Sequence, residues 1–198
     1  MTIAAPIANS LQRASWIRQM FEAGARLKQQ YGADQVFDFS LGNPILEPPA
    51  KVHETLHALL DDPAPGHHRY MPNGGFPAVR EYLANELREE QGLPFEKEDV
   101  VLCVGAGGGL NVVAKALLEP GDEVVALAPY FVEYGFYVQN HGGVLTVAKT
   151  RQEDFLPDLD ALEAVMTPKT RAIIVNSPNN PTGVVYAQEV LDELGTWL

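Results

Sequence analysis

From Val100 onward, short unbroken apolar runs alternate with helical stripes. VVLCV (Val100–Val104), EVVAL (Glu123–Leu127), VLTV (Val144–Val147) and AIIV (Ala172–Val175) show no polar alternation. Strands of that kind are buried on both faces, and with helices between them they indicate a parallel sheet covered on each side. Between the runs, the spacing predicts a glycine turn, GAGGG (Gly105–Gly109), then a helix carrying Leu110, Val113, Ala114 and Leu117. A partly helical aromatic segment, PYFVEYGFYVQN, comes next, and later a short helix capped by Asp158. The expected fold class is α/β, a mainly parallel sheet flanked by helices. AQEVLDELGTWL reads as a helix with no stop signal after it, so the four-stranded sheet reads as incomplete, with an exposed edge.

The earlier residues follow other rules. Ser10 to Gln30 reads as a helix stopped by Gly32, and VFDFSL (Val36–Leu41) as a short strand before the turn GNP. Pro48 and Pro49 open a second helix whose Val52, Leu56, Leu59 and Leu60 are expected to face inward. Asp61 to Gly75 has the Pro and Gly content of an extended loop, and Pro77 starts a helix with Val79, Leu83 and Leu87 on one face. The expected organisation is an N-terminal arm and helix over residues 1–45, part of a small domain. Residues 46–198 are then the N-terminal part of a larger domain, truncated.

Charge narrows the partners. The 198 residues carry a formal net charge of −12 and a pI near 4.7. Nucleic acid and anionic membranes are polyanions that such a chain repels, so neither is an expected partner, and any phosphate must be held by a local device. The one cysteine, Cys103, lies in VVLCV and reads as a small buried hydrophobe. No basic, apolar leader and no run long enough to span a bilayer is visible, so the expected compartment is the cytoplasm.

In open α/β sheets, ligands bind beyond the carboxyl ends of the strands. Three loops leave such ends: GAGGG, APYF (Ala128–Phe131) and NSPNNPTG (Asn176–Gly183). The glycines offer backbone N–H groups at a helix start, the aromatics a flat face, and the asparagines amide donors on a frame stiffened by proline. Together they suit a flat, phosphorylated ring that bears a hydroxyl. GAGGGL lacks the last glycine of a dinucleotide fingerprint, and no G-K-[ST] follows, so neither nucleotide motif is met. HETLH (His53–His57) matches the zinc-peptidase pattern H-E-x-x-H, but Leu60 and Pro63 stand where the longer pattern has Gly and His. Zinc peptidase is the remote alternative, and no metal site is assigned.

In their order, these segments resemble the N-terminal half of a class I/II, fold-type I aminotransferase that uses pyridoxal 5'-phosphate. SLGNP, HHRYMPNGG with FPAVREYLA, VGAGGGLNVVAKALLEPGDEVVALAPYFVEY and NSPNNPTG carry the resemblance, which runs from about Ser10 to Leu198. It implies that Ala106, Gly107 and Gly108 hold the cofactor phosphate, that Phe131 stacks on the pyridine ring, and that Asn180 bonds the ring's phenolic oxygen. Gly42 would give its N–H to the substrate carboxylate. Tyr70 would reach the phosphate of a neighbouring subunit's cofactor, which implies a homodimer. The implied reaction moves an amino group between an amino acid and a 2-oxo acid. Many members carry a hydroxyl or longer side chain where Gly107 and Gly108 stand, so only backbone N–H contacts remain here. The family's Schiff-base lysine, its pyridinium-pairing Asp and its substrate Arg all follow the Asn-Pro-Thr-Gly segment, whereas the last lysine here is Lys169. No catalytic residue is therefore assigned, and the chain is expected to be an inactive fragment of a longer enzyme. A lyase, decarboxylase or synthase of the same fold, and a non-catalytic binding domain, are the alternatives.

Overall fold

The computed structural model describes residues 3–39, 46–66 and 68–198. The chain divides into two compact units, Met1–His68 and Arg69–Leu198. In the first, α1 spans Ala5–Tyr31 and ends at Gly32, whose φ of 89° suits a residue without a Cβ. Asp38 returns against α1 at Gly24, where an added Cβ would lie 2.9 Å from its carboxylate, and Lys28 pairs with Asp38 at 2.8 Å. The second helix, α2 (Ala50–Asp61), starts behind Pro49 as its prolines predict.

Two expectations change in this unit. Residues 36–39 form no strand, and Ser40 and Leu41 lie outside the described residues. Val52, Leu56, Leu59 and Leu60 of α2 are all exposed, because amphipathic spacing fixes which residues share a face but does not supply something to pack on it.

The second unit holds the sheet. Its elements are α3 (Pro77–Gln91), α4 (Gly105–Leu117), β1 (Glu123–Ala128), α5 (Tyr134–Gln139), β2 (Val144–Lys149), α6 (Leu159–Glu163), β3 (Thr170–Ile174) and α7 (Gln188–Trp197). The strands lie in the order β2-β1-β3, all parallel, so β1 is central and Val124 to Leu127 are buried. Alternation along β1 splits the layers. Val125 and Leu127 join Leu162 of α6 and Leu194 of α7 in one core, with Trp197 against it. Val124 faces the other way, toward Leu110, Val113 and Ala114 of α4 and Val138 of α5. Helices thus flank a parallel sheet, as the apolar runs predict, but only the central β1 is buried from Val124 to Leu127; the outer β2 leaves Val144 and Val147 exposed.

The amino ends of the strands are tied by charge. The register of β1 on β3 slips between Glu123 and Val124, leaving Arg171 outside the pairing. Its Nε donates to the buried Asp122 carboxylate at 3.1 Å, and the Glu119 N–H donates to the same oxygen at 3.0 Å. The Glu119 N–H, and after it Arg171, hold the Asp122 carboxyl below its usual range against the opposing effect of burial.

Three further expectations are corrected here. Val100–Val104 is not a strand. It runs extended and joins no ladder. The Gly74 carbonyl accepts from the Leu102 N–H at 3.0 Å, and the Val100 carbonyl accepts from Arg80 Nε at 2.6 Å. An apolar run signals burial, but a strand exists only where a neighbour pairs with it. The glycines Gly105–Gly109 are not a turn ahead of a helix; they are its first residues. Cys103 is exposed rather than buried, since no strand covers this segment. Among the described residues, no helix is long and apolar enough to cross a membrane.

Candidate functional site

Parallel pairing of β1 with β3 sends the loops after both strands out of the same, carboxyl end of the sheet. The loop after β1 begins at Ala128, whose carbonyl accepts from Thr150 Oγ1 at 2.7 Å and Thr150 N at 3.2 Å. That clamp fixes the start of Pro129-Tyr130-Phe131. The Phe131 ring meets Tyr134 edge to face, with centroids 5.7 Å apart, and Tyr134 stacks on Tyr130 at 6.4 Å. Tyr134 is buried, and its burial pushes the phenol up. Phe131 thus rests on a fixed ring while remaining partly open to solvent.

The loop after β3 is held almost wholly by itself. Asn176 Oδ1 accepts the Asn180 N–H at 2.8 Å, and Ser177 Oγ accepts the Tyr186 N–H at 2.8 Å. Asn179 is the centre. Its N–H reaches the Val184 carbonyl at 2.8 Å, and its carbonyl receives the Gly183 N–H at 2.8 Å. Its side-chain Oδ1 accepts both the Thr182 N–H, at 3.2 Å, and the Thr182 hydroxyl, at 2.9 Å. Asn179 is buried, whereas Asn180 is exposed and its amide makes no hydrogen bond to any described residue. Two adjacent asparagines therefore do opposite things: one is consumed inside the loop, and the other is presented outward.

The start of α4 supplies the third component. The Gly108 N–H donates to the Val104 carbonyl at 3.2 Å and closes the first turn. The N–H groups of Ala106 and Gly107 lie ahead of that bond, where a helix offers them no carbonyl, so they are available to an anion. A Cβ on Gly107 would lie 2.9 Å from the Tyr137 hydroxyl, so the absence of a side chain lets α5 close on α4. That hydroxyl donates to Glu133 at 2.7 Å, a bond that raises the Tyr137 phenol. Because α5 follows β1, the Tyr137 contact brings the start of α4 to the helix that begins just after Phe131.

Of the residues expected at the site, Phe131 and Asn180 therefore follow the carboxyl ends of adjacent strands, and the α4 start with Ala106, Gly107 and Gly108 meets α5, the helix after Phe131. Tyr70 is fully exposed on a loop whose Gly74 carbonyl is bonded to Leu102, just ahead of α4. Gly42 and its SLGNP turn lie outside the described residues. Sequence reasoning missed Asn179, Tyr134 and Tyr137. The first carried a readable signal, since an asparagine three residues before a threonine can accept that threonine's N–H. The tyrosines carried none beyond their aromatic character. Lys149, the last residue of the outer strand β2, pairs in register with Ala128 at the carboxyl end of β1.

This arrangement has close relatives. Residues 34–197 match the family model described as aminotransferase class I and II. Aspartate/prephenate aminotransferase of Thermus thermophilus is 40% identical over 84% of this chain and 42% of its own length. Aspartate aminotransferase of Geobacillus stearothermophilus is 37% identical over 81% of this chain and 40% of its own. Among solved structures, an aminotransferase from Eubacterium rectale superposes with a TM-score of 0.93 at 33% identity, over 100% of this chain and 50% of that one. Thermus thermophilus aspartate aminotransferase with maleate superposes with a TM-score of 0.78 at 38% identity, over 91% of this chain and 46% of that one. The chain spans about two-fifths of the length of these curated relatives. With family model, sequence and fold in agreement over most of its residues, this chain belongs to the class I and II aminotransferases, the fold-type I pyridoxal-phosphate family.

Proposed function

We propose that the chain is the cofactor-cradling part of an aminotransferase that moves an amino group between an amino acid and a 2-oxo acid. The relatives that are aspartate aminotransferases favour aspartate as a donor. The observation that carries this reading is the outward, unspent amide of Asn180, held on an Asn179-centred loop that leaves the same end of the sheet as the Phe131 loop. The residues present suit pyridoxal 5'-phosphate, with a free N–H pair for a phosphate, a supported ring for an aromatic face, and an amide donor for a phenolic oxygen.

In this reading, the N–H groups of Ala106 and Gly107 bind the phosphate at the positive end of α4. Gly108, its N–H already used, keeps the approach clear of side chains. Phe131 orients the ring from one face, and the Asn180 amide holds negative charge on the phenolic oxygen. When bound, pyridoxal phosphate supplies an electron sink for the substrate's α-carbon. Gly42 is the proposed donor to the substrate carboxylate. Tyr70 is the proposed reach toward a second subunit's phosphate, so the working form is a homodimer. Residues 1–45 are proposed as part of a small domain and 46–198 as the first part of the large one.

The test is equilibrium dialysis of the 198-residue chain with pyridoxal phosphate and, separately, with pyridoxal. We expect the phosphorylated form to bind more tightly, Asn180→Ala to weaken it several-fold, and Gly107→Asp to abolish it by placing a carboxylate at the cradle. Equal binding of the two forms, with Asn180→Ala silent, overturns the reading. The chain alone is expected to transaminate nothing, because no lysine follows Lys169 to move the α-proton.

A further inference from the structure

We propose that His53 and His57 of α2 form a two-imidazole chelate for a borderline-soft divalent cation of the Cu²⁺, Ni²⁺ and Zn²⁺ class. Both residues lie well inside the helix Ala50–Asp61, more than two residues from either end. Four residues apart, they project from the same face, with Cβ atoms about 5–6 Å apart, a span that one metal ion bridges through two ring nitrogens. Both are exposed, and neither imidazole is hydrogen-bonded to any described residue. The ligand pair is therefore already presented, and no internal bond must break for a cation to enter.

The surroundings shape what the site is. Glu54 sits on the flank of the pair, but it is engaged with Lys51 at 3.6 Å. Among the described residues, no three His, Cys, Asp or Glu side chains come close enough together to hold a metal. Among the described residues the motif thus finds no third protein ligand of the zinc-peptidase kind. What remains is a bidentate nitrogen site completed by water. Imidazole pairs favour Cu²⁺ most strongly among the first-row divalent ions and leave Mg²⁺ and Ca²⁺, which prefer oxygen, unbound. A cation joining the two side chains also clamps one turn of α2, so binding favours the helical form.

The experiment uses Cu²⁺ as the probe. Its electron paramagnetic resonance is read on the 198-residue chain with His67→Ala and His68→Ala introduced to remove the adjacent histidine pair. The expected spectrum shows one bound ion with two nitrogen donors, and titration with Mg²⁺ leaves it unchanged. Either His53→Ala or His57→Ala reduces the donor set to one nitrogen and weakens binding by roughly 10²-fold, the loss of a tethered second ligand. A register variant, His57→Ala with Thr55→His, keeps the number of histidines but points the two rings to opposite sides of the helix. It should bind like the single variants. Circular dichroism checks that α2 remains helical, as expected for exposed positions. If the register variant retains the parent affinity and two-nitrogen spectrum, or if His53→Ala has no effect, the chelate is refuted.

Discussion

Replacing Asn179 with alanine, beside the same change at Asn180, tests the division of labour inside NSPNNPTG. Asn179 is 7% exposed, and its Oδ1 accepts two bonds from Thr182. Each such bond contributes about 1 kcal/mol net, and a partner left buried without one costs somewhat more. Thr182 is only half-buried, so water recovers part of that loss. The expected destabilisation is therefore about 2–3 kcal/mol for Asn179→Ala. The backbone bonds from Asn179 to Val184 and Gly183 are untouched by the change, which keeps the figure from growing. Asn180→Ala removes an exposed amide with no internal partner and should change stability by less than about 0.5 kcal/mol. Urea unfolding measures both, followed by fluorescence in a Trp16→Phe background that leaves Trp197, the last residue of α7, packed on the core. An unchanged denaturant slope would assign the difference to the folded loop. Equal effects of the two substitutions, or a larger one at Asn180, would refute the argument that one asparagine builds the loop and the other is left for a ligand.

Other changes follow from the same structure. Gly75→Ala meets two obstacles, a φ of 103° and a Cβ that would lie 2.5 Å from the Leu102 side chain; about 2–4 kcal/mol should be lost, and Leu102→Ala in the same chain should recover part of it, as unfolding curves would report. The Tyr186 hydroxyl is buried without a hydrogen-bond partner, so Tyr186→Phe should stabilise by roughly 1 kcal/mol; a loss of that size would mean the hydroxyl has a partner. Burial also raises the Tyr186 and Tyr134 phenols; at Tyr186 the Asn179 amide lies near enough to oppose this without reaching hydrogen-bond geometry. The unfolded chain then ionises first, and stability should fall as pH rises past the ordinary tyrosine value of about 10, visible in alkaline unfolding. For Asp122 the sign is reversed: its lowered carboxyl contributes stability above the ordinary aspartate value and loses it as pH falls through the folded one. Asp122→Asn should therefore destabilise near neutral pH and have much less effect in strong acid, and equal effects at both would remove the charge argument.

Much of the fold was written in local pattern. A strand covered on both faces must be apolar at every position, so EVVAL, VLTV and AIIV announced a parallel sheet before any contact was known, and Asp158 announced a capped helix that Ala161 N–H confirms at 3.1 Å. VVLCV carried the same signal, yet it forms no strand, because pairing is a property of two segments and one segment's composition does not choose its neighbour. The exposed stripe of α2 repeats that lesson for helices. At the site, residue types and their order pointed to a phosphate cradle, an aromatic plate and an amide. The resemblance chose Asn180, but residue chemistry alone did not say which asparagine is free, since Asn179 and Asn180 are chemically identical neighbours. Only the backbone path, turning Asn179 inward onto Thr182 and Asn180 outward, separates a structural amide from one left for a ligand.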